Sequence, residues 1–448
     1  MCLQVFKRKP EERIKDFEEV ILDIDKAQAL KETERCLKCA DPSCVKACPL
    51  NIDIPGFIKL IETDKIREAY FLIKEKNPFP QICSRVCPQE NLCESACVLG
   101  KKSKPIRIGK LERYVSDEFH KRGYKEEIKI KERKEKIAVI GSGPAGLAAS
   151  WYLRKNGFKV SCFEALHKLG GVLIYGIPSF RLPKEIVDRE IETLKKMGVE
   201  FILNCLIGRT LTIPQLFKAG FEGVIIATGA GLPKLLNIKG EEKRGIYSAN
   251  EFLMRVNLMG AHLFPKKLTP LNIGKTTIVI GGGNTAIDCA RVALRLNSKV
   301  KVCYRRTKEF MPARIEEIEH AEEEGVEFNF LLAPKEFKGK DFVESVVFEK
   351  MELRGLDSTQ RPKPTPTGEF LEIKTDSVII AIGQSPNPLI YKTHPDLEVL
   401  DGKLKVNKLL ETTVKRVYAA GDIVKGEASV VEAIAQGILA AKNLIKTL

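Results

Sequence analysis

Eight of the thirteen cysteines in this 448-residue chain lie between Cys36 and Cys97, and their spacing is the first feature that could do chemistry. They form two runs, C-x2-C-x4-C-x3-C-P and C-x3-C-x5-C-x3-C. The first run is Cys36, Cys39, Cys44 and Cys48, and the second is Cys83, Cys87, Cys93 and Cys97. Thiolates are soft ligands that stay deprotonated on a metal, so these runs predict metal binding rather than disulfides in a reducing compartment.

The first run is close to that of bacterial ferredoxins, in which three cysteines hold one 4Fe-4S cluster and a fourth, before proline, ligates another. The second run would supply the remaining ligands, so the spacing predicts two clusters. By count alone, the eight cysteines divide into two sets of four. Structural zinc is the alternative, but zinc sites pair C-x2-C elements and only one such pair occurs here.

The other five cysteines are isolated in the sequence and are expected to be mostly buried thiols: Cys2, Cys162, Cys205, Cys289 and Cys303. They form no C-x2-C or C-x4-C pair of the kind that disulfide reductases place beside a flavin. Cys2 would be N-terminal after removal of Met1, but a nucleophile there would need a domain of its own ahead of Cys36. The two cysteine runs are therefore the expected exit for electrons.

A glycine loop follows the apolar strand predicted at Ile137 to Ile140. Its sequence is Gly141-Ser142-Gly143-Pro144-Ala145-Gly146, and a helical stretch and a second strand ending at Glu164 come next. In G-x-G-x-x-G loops the first glycine permits the turn, the second admits a pyrophosphate, and the third lets the helix pack closely. This setting predicts a dinucleotide site, with Glu164 placed for ribose hydroxyls.

A second loop of the same kind, Gly281-Gly282-Gly283-Asn284-Thr285-Ala286, follows the strand predicted at Thr276 to Ile280. The next strand, Lys299 to Tyr304, ends in Arg305-Arg306, where an NAD site would carry an acid. Paired guanidinium groups suit a 2′-phosphate, so the sequence favours NADPH over NADH, unless the arginines are only surface charge. We predict that Arg306→Ala weakens NADPH binding and spares NADH.

The elements around these motifs predict an α/β fold. A helical N-terminal domain, residues 1–130, has apolar positions such as Phe57, Ile58 and Ile61 on one helix face and breaks at Pro49, Pro78 and Pro80. Two Rossmann-like nucleotide-binding domains follow, one inserted in the other. The outer domain is expected at 131–248 and 376–448, and the inserted one at 249–375.

Composition excludes several classes of protein. A formal net charge of +15 is compatible with nucleic-acid binding, but the lysines are scattered among acids and no basic aromatic patch occurs, so a nucleic-acid partner is not expected. No apolar run of membrane-spanning length appears, and the N-terminus lacks the apolar stretch of a signal peptide. A cytoplasmic protein is therefore expected.

The whole chain resembles the small subunit of bacterial glutamate synthase and its relative, the large subunit of electron-bifurcating NADH-dependent ferredoxin:NADP oxidoreductase. The N-terminal part of dihydropyrimidine dehydrogenase is similar too. The resemblance lies in ordered motifs: RCLKCADPSCVKACP, ICSRVCPQENLCESACVLG, IGKLERYVSDEF, GSGPAGLAA, GGVLIYGIPSFRLP, VIIATGA, GGGNTAIDCAR, YRRT, MPAR, AIGQSPN and YAAGD.

This resemblance implies two 4Fe-4S clusters in the helical domain, FAD in the outer Rossmann domain and NADP(H) in the inserted one. Cys36, Cys39, Cys44 and Cys97 would hold the first cluster, and Cys48, Cys87 and Cys93 the second. Glu112, in the IGKLERY segment, would be the eighth ligand in place of Cys83, which disagrees with the count of two sets of four. An oxygen ligand would shift the potential of that cluster.

The resemblance and the two loops together give the expected cofactor-binding residues, and no catalytic residue is identified. They are Gly141, Ser142, Gly143, Ala145, Gly146, Glu164, Gly171, Thr228, Gly229, Gly281, Gly283, Asn284, Thr285, Arg305, Arg306, Gly383, Gly421 and Asp422. The implied activity is hydride transfer between NADPH and FAD, with single electrons passing through the clusters to or from a partner. That partner is a glutamate synthase large chain or another electron-transfer subunit. A scaffold that keeps the nucleotide-binding fold without turnover is the alternative of another class.

Overall fold

The computed structural model describes residues 6–126, 129–358 and 360–448, so Cys2 lies outside the described residues. The helices are α1 (Pro10–Arg13), α2 (Lys26–Thr33), α3 (Ser43–Lys46), α4 (Ile54–Glu62), α5 (Ile66–Lys74), α6 (Pro80–Val86), α7 (Ile108–Lys121), α8 (Pro144–Lys155), α9 (Val172–Tyr175), α10 (Lys184–Lys196), α11 (Ile213–Lys218), α12 (Ala249–Leu253), α13 (Asn284–Arg295), α14 (Ile315–Glu323), α15 (Leu389–Lys392), α16 (Asp422–Lys425) and α17 (Val430–Ile445). Short 3-10 helices cover Gln89–Asn91, Val98–Lys101, Ala261–Leu263 and Lys308–Phe310, and a π-helix covers Met254–Leu258.

The strands form two five-stranded sheets, one three-stranded sheet and two strand pairs. They are β1 (Lys136–Ile140), β2 (Lys159–Phe163), β3 (Val199–Ile202), β4 (Gly223–Ile226), β5 (Leu232–Pro233), β6 (Ile246–Ser248), β7 (Thr276–Ile280), β8 (Lys299–Tyr304), β9 (Glu327–Phe330), β10 (Leu332–Lys338), β11 (Ser345–Leu356), β12 (Pro362–Lys374), β13 (Ser377–Ile380), β14 (Gln384–Ser385), β15 (Val399–Leu400), β16 (Lys403–Leu404) and β17 (Val417–Ala419).

The N-terminal domain is helical, as predicted. Helix α4 buries Phe57, Ile58 and Ile61 on the face that the sequence pattern indicated. Asp53 caps this helix by accepting from the backbone N–H of Gly56 at 3.0 Å. Pro80 begins α6 rather than interrupting structure, because a proline at the first helical position gives up no helical hydrogen bond. The helices therefore pack around a common core, and the loops that carry the cysteines run between the helices.

The first sheet has the order β17-β4-β1-β2-β3, and every pair in it is parallel. Its strands are apolar and buried, which is typical of a parallel sheet covered on both faces. The carboxyl ends of parallel strands meet at one edge of a sheet. The loop after β1, Glu164 after β2, Thr228 after β4 and Gly421 after β17 therefore lie at the same edge.

The second sheet repeats this arrangement in the order β6-β13-β7-β8-β9, again with parallel pairs throughout. An antiparallel sheet, β10-β11-β12, extends from this domain after β9. The predicted class, a helical iron–sulfur domain followed by two Rossmann-like domains, is confirmed. The long antiparallel strands were not predicted.

The expected boundaries of the inserted domain differ from its sheet. Ile246–Ser248 and Ser377–Ile380 were assigned to the outer domain, but they pair with each other and with β7 in the second sheet. The chain leaves and re-enters the outer domain beside the antiparallel pair β5 and β14. The strands that end in VIIATG and VIIAIG resemble one another, which is what a duplicated nucleotide-binding architecture would give. Each Rossmann-like sheet in fact contains one of these two strands.

The N-terminal segment 6–25 ties the helical domain to the inserted one. Arg13 is fully buried, and its guanidinium forms ion pairs with Glu324 at 2.7 Å and Glu323 at 2.8 Å. The backbone N–H of Val20 donates to the carbonyl of Phe180 at 3.0 Å. These contacts hold all three domains together. Among the described helices, none is both long and apolar enough to cross a membrane.

Candidate functional site

The four cysteines expected to hold the first cluster line one cavity. Cys36 and Cys39 enter from the loop after α2, Cys44 from α3 and Cys97 from the loop before the short helix Val98–Lys101. Apart from Ser43, the rest of the lining is apolar, and the open volume including the mouth is about 410 Å³. Four thiols facing one apolar cavity fit a cluster, which is wider than a single ion.

Burial favours the neutral thiol at this site. It raises the pKa of Cys44 to about 11, and the neighbouring Cys97 adds to that rise. Burial also raises the pKa of Cys36, again with Cys97 as a contributing neighbour. Metal binding deprotonates thiols that resist ionisation in isolation. Bound iron would therefore balance the negative thiolate charges that this apolar cavity otherwise disfavours. In the described part of the chain, no three His, Cys, Asp or Glu side chains are arranged to hold a single ion.

A second group of thiols surrounds Glu112. Burial raises the pKa of the Cys87 thiol, and the neighbouring Cys83, Glu112 and Cys48 raise it further. Burial likewise raises the pKa of Cys93, with Cys87, Cys48 and Glu112 among its charged neighbours. The structure thus brings together all the residues expected at the second cluster. It also places Cys83 among them, so both candidates for the eighth ligand are present.

Asn77 lies between the two candidates and was not identified from the sequence. Its side-chain N–H donates to Oε1 of Glu112 at 2.8 Å, while its carbonyl oxygen lies 3.5 Å from Sγ of Cys83. The same oxygen accepts from the backbone N–H of Phe79 at 3.0 Å. Burial raises the pKa of Glu112 to about 8, and the bond from Asn77 opposes that rise. Asn77 therefore fixes how both side chains are presented.

Iron analysis of two variants separates the candidates. We expect Cys83→Ala to keep about eight irons per chain, as the resemblance implies, and Glu112→Ala to lose about four. On this assignment, Cys83→Ala removes a buried thiol and its contact with Asn77, whereas Glu112→Ala would remove an oxygen ligand. Colorimetric iron and labile sulfide, measured anaerobically on both variants, give the answer. Iron loss from Cys83→Ala with full retention in Glu112→Ala would assign Cys83 as the ligand.

The first glycine loop has the shape of a pyrophosphate cradle. A Cβ at Gly146 would overlap the carbonyl of Gly141, and one at Gly171 would lie 2.8 Å from Cα of Gly143. A Cβ at Gly143 would meet no protein atom within 4 Å. The loop is thus closed by protein on two sides and open at Gly143, where helix α8 begins. That opening is where a pyrophosphate would approach.

Glu164 braces this loop. Its Oε2 accepts from the backbone N–H of Ser142 at 3.0 Å and from the Ser142 hydroxyl. The same hydroxyl oxygen accepts from the N–H of Gly170 at 3.1 Å. Oε1 of Glu164 accepts from the N–H of Leu166 at 2.9 Å. Besides the expected contact with ribose, the carboxylate therefore has a positioning role within the protein.

The C-terminal motif joins the same site. A Cβ at Gly421 would lie 3.1 Å from Cβ of Ala145, and the N–H of Gly421 donates to Gln436 at 2.8 Å. Burial raises the pKa of Asp422 to about 6, while its bond from the N–H of Ala428 lowers it. Thr228 and Gly229 follow β4 at this edge, as expected.

Two further groups beside this site were not singled out from the sequence. Burial raises the pKa of Tyr175 to about 12, with Asp422 and Glu164 as its charged neighbours. Lys184 donates to the carbonyl of Leu173 at 2.9 Å, and burial lowers its pKa to about 7. Both lie in or bind the segment after Gly171. The signal in the sequence was the motif GGVLIYGIPSFRLP, which was considered only as a whole.

The second glycine loop repeats the cradle at the inserted sheet. Gly281 has φ 145°, and a Cβ there would overlap the carbonyl of Ala381. Gly283 is open, with no protein atom within 4 Å of a Cβ. Asn284 accepts from the backbone N–H of Arg314 at 3.0 Å, and Thr285 is exposed beside it. Gly383 instead lies at the crossover to the outer domain, where its carbonyl accepts from the N–H of Lys234 at 3.2 Å.

The structure separates Arg305 from Arg306. Arg305 is exposed at the end of β8, where a 2′-phosphate would be recognised. Arg306 is 3% exposed and donates to Asp357 at 2.5 Å and to the carbonyl of Pro362 at 2.9 Å. It therefore holds the antiparallel strands, which differs from the role that the sequence suggested. Arg306 turns inward to the antiparallel strands while Arg305 stays exposed just after β8, so the two guanidinium groups do not face one ligand together.

Replacing Arg305 should therefore distinguish the cofactors. We expect Arg305→Ala to weaken NADPH binding by about 10- to 150-fold, the equivalent of a lost charge-assisted contact, and to leave NADH unchanged. Arg306→Ala is the matched control, and it should lower the melting temperature without changing the preference. Calorimetric titration with NADP⁺ and NAD⁺ measures the two affinities, and thermal melting measures the stability. A loss of preference in Arg306→Ala alone would reverse the assignment.

Comparison with known proteins agrees with the division of the chain into a helical iron–sulfur domain and a nucleotide-binding part. Residues 13–124 match the family described as dihydropyrimidine dehydrogenase domain II, 4Fe-4S cluster. Residues 135–437 match the pyridine nucleotide-disulphide oxidoreductase family. Among solved structures, FprA from Mycobacterium tuberculosis in complex with NADPH is similar with a TM-score of 0.60 and 22% identity, covering 70% of this chain and 84% of that one. At that identity the likeness shows the fold.

Full-length relatives are more informative. The glutamate synthase [NADPH] small chain of Escherichia coli K12 is 34% identical over 446 residues, covering 97% of this chain and 94% of the relative. That of Azospirillum brasilense is 36% identical over 448 residues, covering 98% and 93%. The chain is an oxidoreductase, and it belongs to the glutamate synthase small-chain family, in which a 4Fe-4S domain precedes a pyridine nucleotide oxidoreductase domain.

Proposed function

We propose that this chain is the electron-input subunit of a larger oxidoreductase. It takes hydride from NADPH and delivers single electrons, through two 4Fe-4S clusters, to a partner subunit. The observation that carries the proposal is the union, in one chain, of a thiol-lined apolar cavity with two glycine cradles that are open where a pyrophosphate would approach. The relatives named as NADPH-dependent small chains support it.

Each domain of the chain has its own part in this proposal. The loop at Gly143, braced by Glu164, would hold FAD, and the loop at Gly283 would hold the nicotinamide nucleotide. When bound, FAD supplies the conversion between a two-electron hydride and single electrons. Lys184 orders the segment beside the flavin cradle, in which Tyr175 lies. The first cysteine set is half-exposed and the second is more deeply buried, so the first is the better placed to face a partner.

The partner that fits the family is a glutamate synthase large chain. The motifs identified in the described residues belong to the cluster, flavin and nucleotide sites, and making glutamate would also require release of ammonia from glutamine and reduction of an imine. We therefore propose that those steps belong to the partner, with electrons flowing from NADPH toward it. A partner subunit of another oxidoreductase is the second form of the same proposal.

The test is to assay the purified chain alone and with a large chain. With NADPH and a tetrazolium or viologen dye, the isolated chain should turn over. With NADPH, 2-oxoglutarate and glutamine it should form little labelled glutamate until the large chain is added. Cys39→Ser, which should lack the first cluster, is the control that should bind the nucleotide and fail to support glutamate formation. Robust glutamate synthesis by the isolated chain would contradict the subunit proposal.

A further inference from the structure

Arg314 lies where the inserted domain meets the loop of the second cysteine run. Its guanidinium donates to the carbonyl of Arg85 at 3.2 Å and to Oε1 of Gln89 at 3.2 Å. It also pairs with Glu90 at 2.9 Å. These three partners stand two residues before Cys87 and two and three residues after it. One side chain of the inserted domain thus grips both sides of a cysteine expected at the second cluster.

The backbone at the same place is bound to the second glycine loop. The N–H of Arg314 donates to Oδ1 of Asn284 at 3.0 Å, and the N–H of Ala313 donates to the carbonyl of Gly282 at 3.2 Å. Residues 313–314 therefore contact the nucleotide loop through the main chain and the cluster loop through the side chain. No flexible linker intervenes between these two sets of hydrogen bonds.

This contact is buried and reinforced. Arg314 is 6% exposed, and the neighbouring Glu316 pairs with Lys110 of α7 at 3.3 Å. Gln89 is also fixed from below, because its side-chain N–H groups donate to the carbonyls of Cys83 and Ser84 at 3.3 and 3.2 Å. A planar guanidinium with several partners holds its orientation better than a lysine would. A shift of the nucleotide loop must therefore move the cluster loop, or break these contacts.

We propose that Arg314 is a positioning residue that couples the nucleotide loop to the second cluster, so that nucleotide binding and reduction of that cluster affect one another. The inference rests on the proposed function for the identity of both ligands. The positive charge of Arg314, beside Cys87, also favours the reduced state of the second cluster, because that state carries one more negative charge. These two effects of Arg314 can be separated. Any cation at this position would favour the reduced cluster, whereas coupling to the nucleotide loop requires the several hydrogen bonds of the guanidinium.

Thermodynamic linkage relates the change in nucleotide affinity to the change in cluster potential. If nucleotide affinity differs between oxidised and reduced cluster, the cluster potential must shift on binding by the equivalent amount. Couplings between sites are commonly about fivefold or more in affinity, and fivefold corresponds to about 40 mV for one electron. A shift of that size is measurable in a redox titration followed by electron paramagnetic resonance.

The probe is adenosine 2′,5′-bisphosphate, which keeps the 2′-phosphate and the adenosine-side phosphate of NADPH and has no nicotinamide to exchange electrons. Each cluster potential of the holoprotein is measured with and without saturating probe, and Cys39→Ser assigns the two signals. In the wild type the second cluster should shift by about 40 mV or more on binding, and the first should shift less. Arg314→Met should abolish the shift and lower the resting potential. Arg314→Lys should lose most of the shift and keep most of the resting potential.

Two further variants complete the test. Glu90→Gln removes the ion pair without changing shape, so it should reduce the shift even if Arg314→Met does not fold. Lys338→Met removes one exposed cation from the same domain and should behave as the wild type. Two results would overturn this inference and leave the proposed function standing. One is a wild type that binds the probe without a shift in the second-cluster potential, and the other is a shift as large as that of the wild type in both Arg314→Met and Glu90→Gln. Failure of the wild type to bind the probe would overturn the proposed nucleotide site together with the inference.

Discussion

Serine at position 39 should remove about four of about eight irons per chain and leave the flavin in place. Cys39 is one of four thiols on a single apolar cavity, and a hydroxyl there is a poor iron ligand. The FAD cradle is built from β1, β2 and α8 in another domain. Iron analysis and the visible spectrum after protein denaturation measure the two cofactors separately.

Cys205→Ser is the matched control for this variant. Cys205 is a buried thiol of the outer domain, outside both cysteine groups, so the same atomic change there should keep all the iron. Loss of iron to the same extent in both variants would mean that the protein, and not the ligand set, had failed. Complete loss of iron and flavin from Cys39→Ser alone would show that the two domains do not bind their cofactors independently.

Alanine at the open glycine of each cradle should weaken the binding of one nucleotide and spare the binding of the other. Gly143 and Gly283 have φ of −71° and −87°, which alanine adopts without strain, and a Cβ meets no protein atom at either position. The added methyl therefore projects into the open space where the ligand would lie. We expect Gly143→Ala to weaken FAD binding, and Gly283→Ala to weaken NADPH binding, each by at least about 10-fold.

Each of these variants is the control for the other. Gly143→Ala should retain affinity for adenosine 2′,5′-bisphosphate, and Gly283→Ala should purify with its full complement of FAD. Flavin content and calorimetric titration give both numbers, and unchanged melting of the apoprotein confirms that folding is intact. If both variants keep both ligands, neither opening admits a pyrophosphate. If Gly283→Ala releases FAD, the two cradles have been assigned to the wrong cofactors.

Much of this site could be predicted because its chemistry is local in sequence. The loops at Gly141 and Gly281 follow buried strands directly, and the spacing of their glycines alone indicates a turn, a close approach and a packed helix. Cys36, Cys39 and Cys44 lie within nine residues of one another, so proximity in sequence guarantees proximity in space. Grouping Cys97 with them needed the family resemblance, since its partners are distant in sequence.

The rest depended on contacts between distant segments. Nothing in the pair Arg305-Arg306 indicates that the second residue turns inward to Asp357, because that partner is supplied by a hairpin far along the chain. Asn77 becomes significant only when Cys83 and Glu112 are brought to it. Arg314 was seen in the motif MPAR without a role, since its partners belong to another domain. The expected boundaries at 248 and 375 leave Ile246–Ser248 and Ser377–Ile380 outside the inserted domain, because only the pairing of segments far apart in sequence places them in the second sheet.

Anaerobic titration of the purified holoprotein with NADPH shows whether hydride from NADPH reaches the flavin. Hydride carries two electrons, so about one NADPH per chain accounts for the flavin and about one more for two one-electron clusters. The flavin absorption should therefore be bleached by about two NADPH per chain, and the same amount of NADH should bleach it more slowly. We expect this bleaching in the wild type and in Cys39→Ser, because hydride entry does not need the first cluster. A flavin that stays oxidised with NADPH bound at the second glycine loop would contradict it.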